Sequence, residues 1–301
     1  MQKHILLTGG TGLIGTQLTK ALLAKGYQVS HLDRKPGKNP KVKTYLLDID
    51  KGEIDATCIN GVDTIIHLAG AGIVGKRWTD ERKKEIINSR TQSIGLIYDL
   101  LKKKNHLVKS VISASATGYY GDRADELLTE ESAPGNDFLA EVCIKWEQAA
   151  DAGLDTGLRV VKLRTGVVLD KNGGALPQLA NPIKWGIGSP MGSGKQWMPW
   201  IHWKDVVKLY LYAIENSALK GVYNMTGPNP VTNQELTKAV AKQLRKSLWA
   251  PNVPEFVLKL ILGEMRAVVM ESDRTSAQKI EDAGFKFDFP ELQDALKDIY
   301  G

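Results

Sequence analysis

The sequence has few cysteines and no long apolar run, and each shortage excludes a class of protein. Its 301 residues include two cysteines, Cys58 and Cys143, which are too few for a disulfide scaffold or a zinc site. No apolar run approaches the roughly 18 residues that a membrane helix needs. The N-terminus lacks the charged start, apolar stretch and cleavage site of a signal peptide. We therefore expect a cytoplasmic protein with no metal site and no membrane partner.

Charge of one sign does not dominate either. The chain carries 40 Lys and Arg against 34 Asp and Glu, a formal net charge of +6. The basic residues are spread over helix surfaces and are not clustered with base-stacking groups, so no nucleic-acid partner is expected. Hydrophobic residues make up 43% and charged residues 25%, which is typical of a globular protein. A solvated basic surface around a small anionic ligand fits these values.

Apolar periodicity alternates between strands and helices through the first 170 residues. Strands are predicted at Ile5–Thr8, Val29–Leu32, Thr44–Leu47, Thr64–Leu68, Val108–Ser113 and Arg159–Val168. Helices are predicted at Leu13–Ala24, Glu81–Lys104 and Asp137–Ala152. Such alternation builds βαβ units and a parallel sheet covered by helices on both faces. The pattern predicts an α/β fold, the doubly wound Rossmann sheet.

The composition changes after about residue 170. Glycine and proline become frequent between residues 173 and 194, tryptophans gather between residues 185 and 203, and a block that reads as helical follows from Pro251. We interpret residues 1–170 as a dinucleotide-binding domain and residues 171–301 as a smaller, loop-rich and helical substrate-side domain. Some later segments are expected to return to the first domain, so the boundary is not sharp.

A glycine motif follows the first predicted strand at once. Gly9, Gly12 and Gly15 form G-x-x-G-x-x-G, and a helix begins within the motif. In a Rossmann domain these glycines allow the tight turn, the approach of the backbone to the pyrophosphate and close helix packing. The phosphates lie at the helix N-terminus, where free N–H groups and the dipole favour anions. The predicted cofactor-binding residues here are Gly9, Thr11, Gly12, Leu13, Ile14 and Gly15.

The end of the second predicted strand bears on the choice of dinucleotide. Asp33 lies 18 residues beyond Gly15 and is followed by Arg34 and Lys35. An acid there binds the ribose 2′-hydroxyl of NAD, whereas an arginine accommodates the 2′-phosphate of NADP. The sequence offers both, with Arg34 able to make charge-assisted bonds to a phosphate. We favour NADP as the cofactor, with NAD possible.

Two further segments are placed to contact the dinucleotide. Asp48 follows the third predicted strand, where an adenine ring would lie. The run Leu68, Ala69 and Gly70 ends the fourth predicted strand, and its small residues leave room for a flat cofactor against the backbone. The adjacent His67 is interpreted as a packed strand-end histidine in preference to a catalytic base.

Together these motifs resemble the extended short-chain dehydrogenase/reductase superfamily, which includes nucleotide-sugar epimerases. The resemblance covers nearly the whole chain and is carried by T-G-G-T-G-L-I-G at 8–15 and H-L-A-G at 67–70. G-Y-Y-G-D at 118–122, D-F-L-A-E-V-C-I-K-W-E at 137–147 and G-S-G-K-Q-W-M-P-W-I-H at 192–202 narrow it to an atypical branch named "epimerase family protein". The C-terminal block is similar to the small helical domain of that branch. A homodimer formed through two long helices is common in the superfamily and is a possible partner arrangement.

The resemblance also implies an active site, which this chain has altered. The superfamily uses a Tyr as acid/base and a Lys four residues later, on one side of a helix. Those two positions match Leu139 and Cys143, which can supply neither the proton nor the fixed positive charge. The upstream serine is kept as Ser115, and either Tyr119 or Tyr120 could replace the missing phenol. Cys143 is a weaker candidate for a redox or nucleophilic group.

Two other regions complete the candidate site. Arg90 matches the position of a usual structural Asn and is a candidate to bind a cofactor phosphate or a substrate carboxylate. The substrate-side candidates lie in the loop that ends at residue 202, where polar groups alternate with flat rings that suit a sugar or an aromatic ring. They are Gln196, Trp197, Trp200 and His202. The tryptophans could equally join two lobes of the protein.

Two functions are therefore open. One is an NADP-dependent, epimerase-like oxidoreductase acting on a small polar, possibly sugar-nucleotide-like, substrate. The other is a protein that binds NADP without turnover, as a sensor or a scaffold. Convergence of Ser115, Tyr119 and Gln196 on the nicotinamide would favour the enzyme, whereas their burial in packed core would remove most of its support.

Overall fold

The structure, a computed structural model, describes residues 3–301. Strands in this range are β1 (His4–Thr8), β2 (Gln28–Asp33), β3 (Lys43–Asp48), β4 (Glu53–Ile54), β5 (Thr64–His67), β6 (Ser110–Ala116), β7 (Leu127–Leu128), β8 (Arg159–Thr165), β9 (Val167–Leu169), β10 (Trp197–Met198), β11 (Trp200–His202), β12 (Gly221–Met225), β13 (Val231–Thr232) and β14 (Arg274–Thr275). Helices in the same range are α1 (Leu13–Ala24), α2 (Asp80–Lys103), α3 (Phe138–Asp151), α4 (Ala175–Lys184), α5 (Trp203–Glu215), α6 (Asn233–Gln243), α7 (Glu255–Leu262), α8 (Ala267–Met270), α9 (Gln278–Asp282) and α10 (Leu292–Tyr300).

The main sheet has the strand order β12-β8-β6-β5-β1-β2-β3-β4. Its neighbouring strands are parallel, except that the short β4 runs antiparallel to β3. A parallel pair needs a crossover connection, and the crossovers place helices on both faces of the sheet. The prediction of a doubly wound Rossmann sheet is confirmed.

The central strand β1 shows how the sheet is buried on both sides. All five of its residues are buried, and successive side chains of a strand point to opposite faces. Ile5 and Leu7 pack in the cluster that contains α1 and α5 residues, whereas Leu6 packs in the cluster that contains α2 residues. Two apolar layers therefore hold the sheet, and its carboxyl edge stays free for a ligand.

One predicted strand is broken in the structure. The prediction of a single strand over Arg159–Val168 is wrong, because β8 ends at Thr165 and β9 begins at Val167. Gly166 between them lies so close to Pro199 that an added Cβ would stand 1.9 Å from its carbonyl oxygen. The chain leaves the main sheet there, and β9 pairs with β11 instead.

The second half of the chain contributes to both parts of the molecule. A third apolar cluster gathers residues of α4, α6 and α10 around Trp200 and Met198. However, β12 forms the edge of the main sheet, and α5 packs beside α1, where Lys25 pairs with Glu215 at 2.8 Å. Within residues 3–301 no helix combines the length and the apolar character required to cross a bilayer.

Candidate cofactor and active site

The glycine loop between β1 and α1 has little space for side chains. Gly9 has a φ of +66°, and a Cβ there would lie 2.7 Å from the carbonyl oxygen of Leu68. A Cβ on Gly10 would meet the His31 ring at 2.4 Å, and one on Gly15 would lie 2.3 Å from the Gly9 oxygen. These three glycine positions therefore have no room for a side chain, so the loop presents backbone there, and Thr11 is the one residue of the loop with a side chain.

The N-terminus of α1 suits an anion. Its N-cap residue is Gly12, which has no side chain to bond the first N–H groups, and the first turn contains no acidic residue. Uncapped N–H groups and the helix dipole together attract a phosphate. The amides that follow Gly12 belong to Leu13 and Ile14, so the residues predicted from the motif lie where a pyrophosphate would bind.

At the end of β2, the carboxylate of Asp33 is already occupied by the protein. Its Oδ2 accepts a hydrogen bond from the Thr11 hydroxyl at 3.1 Å, and its Oδ1 accepts one from the Arg34 amide at 2.7 Å. The Arg34 side chain is exposed. An occupied carboxylate next to an exposed guanidinium favours a phosphate over a ribose hydroxyl at this position.

Arg34 opens onto a large cleft beside β3. The cleft has a volume of about 890 Å³ and is lined by Leu47, Asp48 and Ile49 on one side and by the first half of α2 on the other. A cleft of this size accommodates a nucleotide-sized ligand. The structure thus brings Asp48 and Arg34 into the lining of one cleft.

Hydrogen bonds join the residues that follow β5 to the last residue of β1. The buried Thr8 hydroxyl accepts hydrogen bonds from the amides of Leu68 and Ala69, each at 3.1 Å. Gly70 is crowded by Arg90, whose guanidinium carbon would lie 2.8 Å from an added Cβ. Leu68, Ala69 and Gly70 therefore form a fixed, flat wall beside the glycine loop. The sequence reasoning missed Thr8, although its place at the strand end before the motif was a usable signal.

Arg90 reaches this wall from α2. Its Nη1 donates to the carbonyls of Ala71 and Ile86, at 3.1 and 2.8 Å, and its guanidinium lies 4.8 Å above the Trp146 ring. The Arg90 Nε is buried and has no hydrogen-bond partner among residues 3–301. Burial lowers the pKa of Arg90 to about 10, so the group stays cationic at neutral pH.

Burial shifts the pKa values of two nearby groups, His67 and Cys143, away from neutral pH. Burial, followed by the nearby Arg90 cation, lowers the pKa of His67 to about 3, and its Nε2 lies 2.8 Å from the Ser93 hydroxyl. His67 is thus a packed, neutral histidine. Burial also raises the pKa of the Cys143 thiol to about 12. The hypothesis of a nucleophilic Cys143 is corrected, because the reactive form of a cysteine is the thiolate.

Ser115 does not face open space. Its hydroxyl donates to Oε1 of Glu147 at 2.8 Å, inside a buried network. Arg164 donates two hydrogen bonds to the same carboxylate, at 2.8 and 3.0 Å. Ser115 lies at the carboxyl end of β6, as predicted, but its hydroxyl is already hydrogen-bonded to the Glu147 carboxylate of this ion pair.

The two tyrosines after β6 belong to the same network. Tyr120 is buried, donates to Oδ1 of Asn224 at 2.6 Å and accepts a bond from Arg164 at 3.0 Å. Burial raises the pKa of Tyr120 to about 12, so its hydroxyl stays protonated at neutral pH but is a weak acid, and both of its hydrogen bonds are made inside the protein. Tyr119 is half-buried, and its ring lies 3.4 Å from the guanidinium carbon of Arg164.

Two of the substrate-side residues are packing residues. Trp200 and His202 are each 0% exposed. Trp200 donates to the carbonyl of Asn229 at 2.8 Å. His202 accepts the Lys204 amide at the start of α5 and stacks on Phe289, with ring centroids 4.0 Å apart. The prediction that these two contact a substrate is wrong, because both side chains are enclosed by the lobe that they hold together.

Gln196 and Trp197 lie nearer the sheet edge. The buried Gln196 donates through Nε2 to the carbonyls of Met191 and Val269, each at 3.1 Å, while its Oε1 has no partner among residues 3–301. The half-buried Trp197 donates to Asp125 at 2.8 Å. Ser115, Tyr119 and Gln196 therefore do not converge on one open space.

The sequence reasoning missed a pair of carboxyl groups at the same edge. Glu271 and Asp273 lie in the segment between α8 and β14, and only 7% of Asp273 is exposed. The Thr117 side chain, directly after β6, interacts with the Asp273 carboxylate. The alternation Glu-Ser-Asp at 271–273 matches no motif, so no local signal could have found these residues. In the described part of the chain, no cluster of His, Cys, Asp or Glu is arranged to hold a metal ion.

Comparison with known proteins places the chain among epimerase relatives. Residues 5–226 match the model of the NAD dependent epimerase/dehydratase family, and residues 253–299 match a domain of unknown function (DUF1731). The epimerase family protein YfhF of Bacillus subtilis is 35% identical over 98% of this chain and 97% of its own length. The chloroplastic SDR39U1 homologue of Arabidopsis thaliana is 36% identical over 99% of this chain and 87% of its own length.

A solved structure agrees with these matches. The human epimerase family protein SDR39U1, crystallised with NADPH, superposes with a TM-score of 0.88 at 32% identity and covers 99% of both chains. The resemblance to the "epimerase family protein" branch of the extended short-chain dehydrogenases/reductases is thereby confirmed. The chain belongs to the NAD dependent epimerase/dehydratase family.

Proposed function

We propose that this protein is an NADP-dependent, epimerase-like oxidoreductase that acts on a small polar substrate. The end of β2 carries the cofactor part of the proposal, because Thr11 and a backbone amide occupy Asp33 and the Arg34 side chain stays exposed at the cleft. The oxidoreductase part rests on the family match over residues 5–226, since Ser115, Tyr119 and Gln196 do not converge on one open space. The NADPH present in the human relative supports the same preference here. Both cysteines are free and buried, which is compatible with the reducing cytoplasm expected from the sequence.

The described residues fit the dinucleotide along its length. The glycine loop and the uncapped start of α1 would hold the pyrophosphate, and Arg34 would bind the 2′-phosphate. Asp48 would adjoin the adenine, and the wall Leu68–Gly70 would adjoin the nicotinamide half. When bound, the nicotinamide supplies a hydride donor or acceptor, while the protein supplies orientation and proton transfer.

One observation favours the second candidate function, an NADP-binding protein without turnover. Ser115 and Tyr120 are committed to the network around Arg164, and Cys143 is a buried thiol. Of the residues first expected to act on a substrate at the end of β6, only Tyr119 is left partly exposed. A catalytic protein of this shape therefore needs a proton-transferring group from elsewhere in the chain.

Fluorescence titration of the cofactor-stripped protein with NADPH and with NADH tests the cofactor assignment. Arg34→Ala removes a charge-assisted bond to the 2′-phosphate, worth about 1.5–3 kcal/mol. We therefore expect its Kd for NADPH to rise about 10- to 100-fold, with binding of NADH unchanged.

Lys103→Ala is the matched control, because it removes one exposed positive charge at the far end of α2. It should leave both affinities unchanged. Binding of neither dinucleotide to the wild-type protein would overturn the proposed function. An Arg34→Ala protein that binds NADPH normally would overturn the role of that residue.

A further inference from the structure

A short segment of the C-terminal lobe is fixed over the loop that follows β6. The Ser272 hydroxyl donates to the carbonyl of Ala124 at 2.7 Å and accepts the Trp197 amide at 3.0 Å. The Arg123 amide donates to the Ser272 carbonyl at 3.1 Å. Because these bonds join three separate parts of the chain, the neighbours of Ser272, Glu271 and Asp273, have a defined position.

That position is the carboxyl edge of the main sheet. The Thr275 hydroxyl donates to the hydroxyl of Thr226, the residue directly after β12, at 3.1 Å. The Asp273 amide donates to the Trp197 carbonyl at 3.3 Å, and the Asp273 carboxylate interacts with Thr117, the residue directly after β6. Ligands of open α/β sheets bind outside the carboxyl ends of the strands, so Asp273 lies where a substrate of this fold would be held.

Asp273 is buried without full hydrogen bonding. It is 7% exposed, and its Oδ1 is enclosed but has no hydrogen-bond partner among residues 3–301. A buried carboxyl oxygen left without a partner is costly and calls for an explanation. A ligand hydroxyl that bonds to Oδ1 would supply the missing partner.

Like charges surround this carboxyl group. The negative charges of Asp122 and Asp137 act on both Asp273 and Glu271, and the charge of Asp273 acts on Glu271 as well. The two adjoining guanidinium groups are engaged elsewhere, since Arg123 pairs with Glu126 and Arg274 lies 4.8 Å above the Trp197 ring. Burial, with the nearby carboxylates adding to it, raises the pKa of Asp273 to about 7 and that of Glu271 to about 8. A group that titrates near neutral pH can both accept and donate a proton.

We propose that Asp273 is the catalytic acid/base of this site and exchanges a proton with the substrate through its Oδ1 atom. The proposal rests on the proposed function, because it needs a bound nicotinamide dinucleotide. The Asp273 carboxylate would take the proton of a substrate alcohol as its O–H bond breaks; the oxidised dinucleotide, when bound, would supply the acceptor for the hydride that leaves the alcohol carbon as the carbonyl forms. The reverse reaction returns the proton from the carboxylic acid to the carbonyl oxygen. Leu139 carries no group that could do this, and Tyr120 is committed to Asn224.

The charge of the dinucleotide gives a test that needs no substrate. The oxidised nicotinamide ring carries a positive charge that the reduced ring lacks. An opposite charge within about 4–6 Å lowers a carboxyl pKa by about 1–3 units. If Asp273 faces the ring, NADP⁺ binds its ionised form better and NADPH does not distinguish the two forms. The ratio of the Kd for NADP⁺ to the Kd for NADPH should then fall about tenfold or more between pH 5.5 and 8.5.

Using the ratio of the two Kd values cancels the ionisation of the 2′-phosphate, which would otherwise also make binding depend on pH. The 2′-phosphate, with a pKa of about 6, is present in both nucleotides and therefore cancels. Asp273→Asn should make the ratio independent of pH, whereas Asp125→Asn, at an exposed carboxylate nearby, should preserve the dependence. Asp122→Asn removes a like charge that acts on Asp273 and should move the midpoint of the change to lower pH. It keeps the proposal testable if Asp273→Asn does not fold.

The outcomes are distinct. A ratio that does not depend on pH in the wild-type protein, or a dependence that survives in Asp273→Asn, overturns the acid/base role while leaving NADP binding intact. Failure of both nucleotides to bind overturns the proposed function itself and the role of Asp273 with it. A pH-dependent ratio that Asp273→Asn abolishes and Asp125→Asn keeps is the expected result.

Discussion

Two glycines that lie in helices differ sharply in the space around them. A Cβ on Gly15, in the first turn of α1, would lie 2.3 Å from the Gly9 oxygen and 2.7 Å from the Gly10 Cα. A Cβ on Gly95, in the middle of α2, would have no neighbour within 4 Å. The same substitution should therefore have opposite effects at the two sites.

Gly15→Ala forces backbone atoms of the glycine loop apart, and we expect it to destabilise the fold by about 1–3 kcal/mol and to weaken NADPH binding. Gly95→Ala should stabilise the fold by about 0.5–1 kcal/mol, because it removes the entropy cost of a helical glycine. Thermal unfolding and NADPH titration of both variants provide the check. Equal effects of the two substitutions on stability would contradict the packing argument.

The sequence predicts residues of this site only where a local motif carries them. The glycine spacing and Arg34 beside Asp33 are read within one βαβ unit, and the structure places them together at the cleft. Asp273 is different, because its neighbours Thr117 and Asp122 are more than 150 residues away along the chain. Only the packing of the 271–273 segment on the loop after β6 brings these groups together.

At the scale of elements, α3 is joined to the sheet by buried and half-buried ion pairs, because Lys162 of β8 pairs with Asp151 at 2.6 Å and Arg164 of β8 pairs with Glu147 at 2.8 Å. Glu147 of α3 accepts two bonds from Arg164 of β8 and one from Ser115 of β6. Arg164 continues the network to Tyr120, which bonds to Asn224 of β12. The helix that bears Leu139 and Cys143 is therefore positioned by a polar network and not by packing alone.

Glu147→Gln would leave the Arg164 cation buried without its counter-ion. Breaking a buried pair in this way costs about 3–5 kcal/mol, and we expect a clear fall in the free energy of unfolding. Glu141→Gln is the control on the same helix, because its pair with Lys145 is about half exposed on both sides. Such surface pairs contribute about 0–1 kcal/mol. Denaturant unfolding of both variants tests this, and a comparable loss in the two would show that the network does not hold α3.

The long elements were predictable from periodicity, and the short ones were not. Helices such as α1 and α2 bury one face over several turns, so their apolar spacing is visible in the sequence. Strands of two residues, such as β7 and β14, are too short to show an alternation. The break at Gly166 also escaped prediction, since its cause is the approach of Pro199 from a distant segment. These short pieces are the ones that position Asp273.

At the scale of the whole molecule, the two halves of the chain are interwoven across one sheet. The division expected near residue 170 describes a change of composition, whereas β12 and α5 lie against the first half. The candidate cofactor residues come from the first half, and Glu271 and Asp273 come from the second. The C-terminal lobe therefore supplies two titrating groups of the candidate site.

Four groups with shifted pKa values predict an unusual dependence of stability on pH. Burial lowers the pKa of His67 to about 3 and that of His202 to about 4. Below about pH 6.5 both histidines are therefore protonated in the unfolded chain but remain neutral in the folded protein. The free energy of unfolding falls as the pH falls through this range. Glu271 and Asp273 act in the opposite sense. Their raised pKa values mean that the folded state holds protons the unfolded state has lost, so they reduce stability as the pH rises from about 4 to about 8.

These opposing effects should give a broad stability maximum between about pH 4.5 and 6.5 and a decline above it. Thermal unfolding followed by circular dichroism from pH 4 to 9 at constant ionic strength measures the profile. Glu271→Gln removes one raised carboxyl group, so its melting temperature should exceed that of the wild type most at pH 8 to 9 and match it near pH 4. Asp125→Asn should follow the wild type throughout. A wild-type melting temperature that rises from pH 6.5 to 8 would show that ionising Glu271 and Asp273 does not destabilise the folded state. Asp273 would then lack the raised pKa that its role as an acid/base near neutral pH requires.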